Sequence, residues 1–174
     1  TVLANGIACW DGAHWTSLGD IVPDGPFRGL SVDNGMLLAV GEMVSDPTSG
    51  FGWWDGHQWL TGTYGLGGCC FPGGPVLSAT RVGTDLFLAG GFDYFYDFYS
   101  GGNRAVKNLA RFDGTYLHPV TNGTPILDGT AVWGTTLYHN RLIATGEFNN
   151  TSDHNLYAGH QPVNGIAEWD GGAW

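Results

Sequence analysis

The chain has 174 residues, a length that fits one domain, and 43% of them are hydrophobic, enough for a buried core. Only 13% are charged, and the formal net charge is −10 with six Lys and Arg residues in total. This balance argues against a nucleic-acid partner or an anionic membrane surface, because both need clustered cations. No apolar run of about 20 residues is present, so no membrane span is expected.

A nine-residue phrase occurs four times along the chain. Its copies read IACWDGAHW, FGWWDGHQW, LARFDGTYL and IAEWDGGAW, beginning at positions 7, 51, 109 and 166. The central Asp-Gly pair predicts a tight turn in which glycine has a positive φ and aspartate caps the backbone. We therefore interpret the phrase as structural, with the repeat residues Trp10, Asp11, Gly12, Trp15, Trp54, Asp55, Gly56, Trp59, Phe112, Asp113, Gly114, Trp169, Asp170, Gly171 and Trp174.

Two other phrases repeat between these turns. LLAVGEM, LFLAGGF and LIATGEF are apolar strands that run into Gly-Gly or Gly-Glu. RGLSVDNG, LSATRVGTD and VWGTTLYHN precede them, and each is a strand that ends in a turn signal. With the two strands around the Asp-Gly turn, they define a unit of four short antiparallel strands, which is typical of a β-propeller blade.

The spacing of these units predicts an all-β fold and a single β-propeller segment over residues 1–174. Residues 1–20 form a half blade, 27–62 and 75–122 form two blades, and 125–174 form an incomplete blade. Closed propellers have about four to eight blades. We therefore expect the ring to be completed by further blades of a longer polypeptide, or by other copies that associate.

We number the four strands of the unit in chain order, so that strand three is the one that leads into the Asp-Gly turn. This strand indicates how neighbouring sheets pack. A small residue is followed two positions later, and so on the same face, by an aromatic residue. This arrangement lets an adjacent sheet approach while the ring fills the gap. On the opposite face, one position of the strand is apolar in all four copies. A second position on that face varies between the copies, and we expect it to lie where packing is less demanding. The varying column is Cys9, Trp53, Arg111 and Glu168.

The repeat resembles the kelch-type propeller repeats, and more closely a group of secreted bacterial repeat proteins whose blades read IA-W-D-G-x-x-W-x-x-L-G. The best matches are residues 7–19, the doublet Gly90-Gly91 and residues 164–174. The third copy departs, because Phe112 and Leu117 replace both tryptophans. The resemblance implies the fold, and it implies no particular activity because propellers host many unrelated functions.

The long loop at residues 93–108, DYFYDFYSGGNRAVKN, contains the candidate ligand site. Aromatic rings stack on sugar C–H groups and carboxylates accept hydrogen bonds from hydroxyls, so this loop suits a glycan. The alternative is that its rings pack on the domain or on a partner subunit. The candidate residues are Asp93, Tyr94, Tyr96, Asp97 and Tyr99.

Metal and cofactor sites have little support in the sequence. The same loop and residues 149–155 offer oxygen ligands for Ca²⁺, but without an EF-hand spacing. The six His residues are scattered, so no zinc or copper centre and no other cofactor is expected.

Several features suggest an extracellular or cell-surface glycoprotein. Asn122, Asn149 and Asn150 begin N-glycosylation sequons. The three cysteines leave at least one thiol free or paired outside this chain, and a link from Cys9 to Cys69 or Cys70 is easier than a bridge between the adjacent pair. Buried free thiols are the alternative reading.

Two functions are compatible with the sequence. The first is a non-enzymatic extracellular propeller that acts as a scaffold, adhesion or binding module in a cell-surface or filamentous assembly, with protein chains and glycans as partners. The second is a secreted carbohydrate-active enzyme whose site needs blades absent from this chain. No nucleophile elbow or Gly-rich phosphate loop is present, which favours the first.

Overall fold

The structure is a computed structural model that describes residues 4, 6–19, 26–42, 50–60, 74–97, 102–120, 126–152, 161–172 and 174. Within these residues every regular element is a β-strand, which confirms the expected all-β class. None of the described residues belongs to a helix long and apolar enough to span a membrane. The strands are β1 Ala8–Trp10, β2 Trp15–Ser17, β3 Phe27–Asp33, β4 Met36–Gly41, β5 Phe51–Trp54, β6 Trp59–Leu60, β7 Val76–Val82, β8 Asp85–Gly90, β9 Tyr94–Asp97, β10 Gly102–Ala105, β11 Leu109–Phe112, β12 Leu117–Pro119, β13 Ile126–Tyr138, β14 Arg141–Ser152, β15 Gln161–Pro162 and β16 Ile166–Trp169.

Three antiparallel sheets of four strands each make up most of the described structure. Sheet one has the order β3-β4-β5-β6, and sheet two has the order β7-β8-β11-β12 with the β9–β10 hairpin inserted between its second and third strands. Sheet three contains β13 and β14, and both β15 and β16 pair with β14. The β1–β2 hairpin precedes sheet one. The sheets described form no closed ring, so the propeller and its blade bounds stay a prediction.

The sheets stack with one face against the next, and strand three defines the two faces. We call the side with the small–aromatic column the front face and the opposite side the back face. Phe112 on the front of sheet two is 2% exposed, and its ring lies 5.7 Å from that of Phe51 on the back of sheet one. Trp169 on the front of sheet three is buried in one cluster with Phe87 and Leu109 on the back of sheet two. The expected use of the small–aromatic column is confirmed at both interfaces.

The segment after the β1–β2 hairpin lies on the front side of sheet one. The indole N–H of Trp59 donates to the backbone carbonyl of Leu18 at 2.6 Å, just after β2. Gly19 approaches the ring of Trp54 so closely that a Cβ there would lie 3.1 Å from it. The segment that follows β2 therefore contacts the front of sheet one.

The expectation of loose packing in the varying column is wrong for Trp53. This residue is 7% exposed on the back of sheet one, and its ring lies 6.2 Å from that of Phe112 on the front of sheet two. Its indole N–H donates to Asp33 Oδ2 at 2.7 Å. The expectation holds at Cys9 and Glu168, which are exposed, and Arg111 is half-buried, so Trp53 is the exception in this column.

The equivalent positions in the other sheets hold ion pairs. Arg111 on β11 donates to Asp85 on β8 at 2.7 Å. Glu168 on β16 accepts from Arg141 on β14, so the same diagonal contact recurs with the charges exchanged. Cross-strand neighbours of opposite charge stabilise a sheet, and their exchange leaves that contact intact.

The Asp-Gly turn has the same geometry in all four copies. The Oδ1 atoms of Asp11, Asp55 and Asp113 each accept from the backbone N–H groups two and three residues later, at 2.7 to 2.8 Å. Asp170 Oδ1 accepts from the N–H of Gly172 at 2.9 Å. The turn glycines have φ between 101° and 105°, a region that side chains disfavour. The turn is thus built by the aspartate cap and the glycine together.

Asp113 predicts a pH dependence of stability. Burial raises its pKa, but hydrogen bonds from the Tyr116 and Thr115 backbone and from His118 outweigh burial and lower the pKa to about 2. Because the folded pKa lies below the unfolded value of about 3.9, this stabilisation is complete above pH 4 and is lost as the pH falls towards 2. Asp113→Asn should therefore lower the free energy of unfolding by about 1 kcal/mol at pH 7, after allowance for solvent screening. Urea unfolding at pH 7 and pH 2.5 tests this. An equal difference in the free energy of unfolding between wild type and variant at the two pH values would contradict it.

Candidate functional site

Strand one of each sheet contributes to a cavity of about 400 Å³. β7 lies between β3 and β13 and packs against both. This volume lies within the range of small-molecule binding sites, which is about 300 to 1,000 Å³.

Hydroxyl groups join sheet two to sheet three in this cavity. Thr135 Oγ1 on β13 lies 3.0 Å from Ser78 Oγ and 2.9 Å from Thr80 Oγ1, both on β7. The backbone N–H of Thr135 also donates to Ser78 Oγ at 3.0 Å. Nearby apolar side chains remain open to solvent, with Trp133 56% and Leu30 57% exposed. The lining therefore combines uncharged hydroxyl groups with the exposed side chains of Trp133 and Leu30.

A buried ion pair holds sheet one to sheet two at the same cavity. Asp33 on β3 is 3% exposed. Its Oδ1 accepts from Arg81 Nε at 2.5 Å, and its Oδ2 accepts from Arg81 Nη2 at 2.9 Å. Trp53 donates to Oδ2 as well, and Arg81 Nη1 donates to the carbonyl of Thr84 at 2.6 Å. Bidentate pairs of this kind fix geometry as well as charge.

The electrostatics of the pair follow from these contacts. Burial raises the pKa of Asp33, but hydrogen bonds from Arg81 and Trp53 and the Arg81 charge hold the pKa below its usual value. The hydrogen bond to Asp33 raises the pKa of Arg81. Both groups are therefore charged at neutral pH and neutralise each other. The cavity thus suits an uncharged polar ligand better than an ion.

The predicted ligand loop is only partly described. Asp93 is exposed just before β9, and Tyr94, its neighbour in the chain, is half-buried at the first position of that strand. The side chains of Tyr96 and Asp97 and the whole of Tyr99 lie outside the described residues. Phe95 in the same strand is 4% exposed and packs into the core between sheets one and two. Part of this loop therefore packs on its own domain, and its contact with a ligand stays a prediction.

The remaining sequence candidates are unevenly described. Cys9 is exposed, whereas Cys69 and Cys70 lie outside the described residues, so the disulfide stays a prediction. Asn149 is exposed on β14, the Asn150 side chain is not described, and Asn122 lies outside the described residues. In the described part of the chain no three His, Cys, Asp or Glu side chains converge on a metal-sized site.

Sequence reasoning missed two buried polar residues. Asp33 precedes Asn34-Gly35 and looks like an ordinary turn residue, and it shares its face of β3 with Ser31 and Gly29, so alternation along the strand gave no sign of its burial. Asn108 is 1% exposed with φ of 67°, and its side-chain N–H donates to the Gly129 carbonyl of sheet three at 3.0 Å. Other units have glycine before strand three, at Gly50 and Gly165, which also adopt positive φ.

No protein-family model matches the chain, and no curated protein is significantly similar to it. The resemblance to kelch-type repeats therefore stays a prediction that depends on the repeated motifs. The sheets, their interfaces and the cavity are the observations from which function is argued.

Proposed function

We propose that the chain forms a non-enzymatic extracellular β-propeller scaffold that serves as an adhesion or binding module. The observation that carries this proposal is the front-to-back interface, which is built twice from the same columns of strand three. A fold that repeats one interface presents a rigid framework on which loops and cavities can bind partners.

The use of charged side chains supports a scaffold over an enzyme. Both oxygens of Asp33 accept from donors within the protein, and Asp85, Glu42 and Glu168 each pair with an arginine. The turn aspartates accept from their own backbone. Acid–base catalysis needs a carboxyl group that reaches the substrate, and these groups serve structural contacts instead.

Glycan binding is the recognition role that the cavity favours. Hydroxyls of Ser78, Thr80 and Thr135 line it, Trp133 is exposed beside them, and the Asp33–Arg81 ion pair has no net charge. An indole face stacks on sugar C–H groups while hydroxyls exchange hydrogen bonds with sugar hydroxyls. A neutral oligosaccharide is therefore the ligand class that we assign to this cavity.

Trp133→Ala is the variant that tests this role. We expect neutral oligosaccharides to bind about tenfold more weakly, because loss of one stacking ring costs about 1.4 kcal/mol. Isothermal titration calorimetry with hits from a glycan array measures the effect. Trp10→Ala is the matched control, because Trp10 is 50% exposed but lies outside the cavity.

Two outcomes would contradict the proposal. Equal binding by the Trp133→Ala and Trp10→Ala variants would remove the cavity as the glycan site. Mass spectrometry of the recovered oligosaccharide distinguishes a binding module from the enzyme alternative. We expect intact sugar, and shortened products would favour a carbohydrate-active enzyme.

A further inference from the structure

Two pairs of tryptophans on front faces have similar ring geometry but differ in their exposure to solvent. The rings of Trp169 and Trp174 lie 5.5 Å apart at 49°, and those of Trp10 and Trp15 lie 5.3 Å apart at 46°. Trp169 is 6% exposed because the back of sheet two covers it, whereas Trp10 and Trp15 are 50% and 55% exposed. The hairpin therefore presents a preformed front face with nothing described against it.

The back of sheet three is the matching open face. Ile166 corresponds to Phe51 of sheet one and Leu109 of sheet two, which are 2% and 5% exposed under the following sheet. Ile166 itself is 57% exposed. Ile143 belongs to the same face, because it pairs with Glu168 across the sheet, and it is half-buried. Both isoleucines thus occupy columns that are buried in the preceding sheets.

The ion pair on this back face is compatible with a docked sheet. Arg141 and Glu168 lie where Asp85 and Arg111 lie in sheet two. In sheet two, Leu109 lies beside that pair and is buried because sheet three covers this surface. A charged pair at this position therefore accompanies a packed interface within the molecule itself.

We propose that the front face of the β1–β2 hairpin (Ala8, Trp10 and Trp15) in one copy of the chain packs on the back face of sheet three (Ile143 and Ile166) in a second copy. The inference rests on the proposed scaffold function and names its partner. The contact reproduces the interface that Trp169 makes with Leu109 and Phe87. Because the two surfaces differ, the association is heterologous, and it closes into a ring or extends into a filament.

Two variants that each spoil one face test the proposal. Trp10→Asp removes the front face of the hairpin, and Ile166→Asp removes the back face of sheet three. Val32→Asp is the control, because Val32 is apolar and 78% exposed but lies in sheet one, outside both the hairpin and sheet three. Circular dichroism verifies that each variant is folded, and sedimentation velocity over a concentration series measures mass.

The expected result is distinctive for a heterologous contact. Wild type and Val32→Asp should exceed the 18.6 kDa chain mass as concentration rises, and either face variant should associate at least about 30-fold more weakly. An equimolar mixture of the two face variants should form a one-to-one dimer, since each supplies the face that the other lacks. That dimer should not grow further with concentration.

Other results overturn the inference. A wild-type chain that stays at 18.6 kDa at every concentration has no such contact. Association that survives Ile166→Asp, or mixed variants that stay monomeric, would assign it to other surfaces. A monomer that still binds neutral glycans through Trp133 would contradict the proposed self-association but not the proposed binding function.

Discussion

Replacing Arg81 with methionine is expected to lower the free energy of unfolding by about 3 kcal/mol, because it leaves a buried charge without its partner. Asp33 is 3% exposed, and Arg81 supplies two of the three hydrogen bonds that it accepts from described residues. The indole of Trp53 alone does not offset the cost of burying a carboxylate. The contact between sheets one and two should be the first to weaken.

Arg141→Met is the matched control for this prediction. Arg141 also pairs with a carboxylate, Glu168, but the two side chains are 51% and 46% exposed. An exposed pair of this kind contributes about 0 to 1 kcal/mol. Urea unfolding of both variants compares the two costs, and equal losses would show that the Asp33 pair is no more important than a surface pair.

A double variant separates the pair from its parts. Asp33→Asn combined with Arg81→Met removes both charges, so we expect it to be less destabilised than the sum of the single variants. Additive losses would mean that the two side chains stabilise the protein independently. That result would contradict a direct ion pair between the sheets.

Gly90→Ala is expected to destabilise the protein by about 3 kcal/mol or to prevent folding, because the added Cβ overlaps the backbone. A Cβ at Gly90 would lie 2.0 Å from the carbonyl oxygen of Pro75 and 2.9 Å from the Phe92 ring. The same approach occurs at Gly41, 2.3 Å from the Pro26 carbonyl. A backbone atom cannot turn aside as a flexible side chain can, so strands one and two would have to separate.

Gly91→Ala is the control in the same doublet. A Cβ at Gly91 would be 3.6 Å from its nearest neighbour, the Thr130 carbonyl oxygen, which is ordinary contact. We expect a change within about 0.5 kcal/mol, as for most surface substitutions. This contrast accounts for the repeat pattern, in which the first glycine is constant and the second is replaced by Glu42 and Glu147. Thermal unfolding of the two variants checks it, and equal shifts would refute the account of the doublet.

Local chemistry made the turns and strand order predictable from the sequence. The Asp-Gly turn depends on residues within three positions of each other, so its cap and its positive φ could be read directly. The small–aromatic column was equally accessible, because strand residues alternate between faces with a period of two. Each repeats at the same place in the unit, and repetition separates structural from incidental residues.

Contacts between sheets were not predictable in the same way. Asp33 and Arg81 are 48 positions apart and meet only once the sheets have stacked. Trp53 was misplaced for the same reason, since its neighbour Phe112 belongs to the next sheet. For the aromatic loop, the sequence left open whether the rings contact a ligand or pack on the domain, and in the structure Phe95 of β9 packs inward. Stacking geometry, which no single repeat specifies, decides the contacts of Asp33 and Trp53.

A crystal structure of the protein in its assembled form tests the central claim that the sheets stack front to back around one axis. The account predicts that β3, β7 and β13 line that axis, with Ile166 and Trp10 buried under further sheets of the same kind. Sheets arranged as two flat facing layers, with Ile166 and Trp10 both left in solvent, would contradict it.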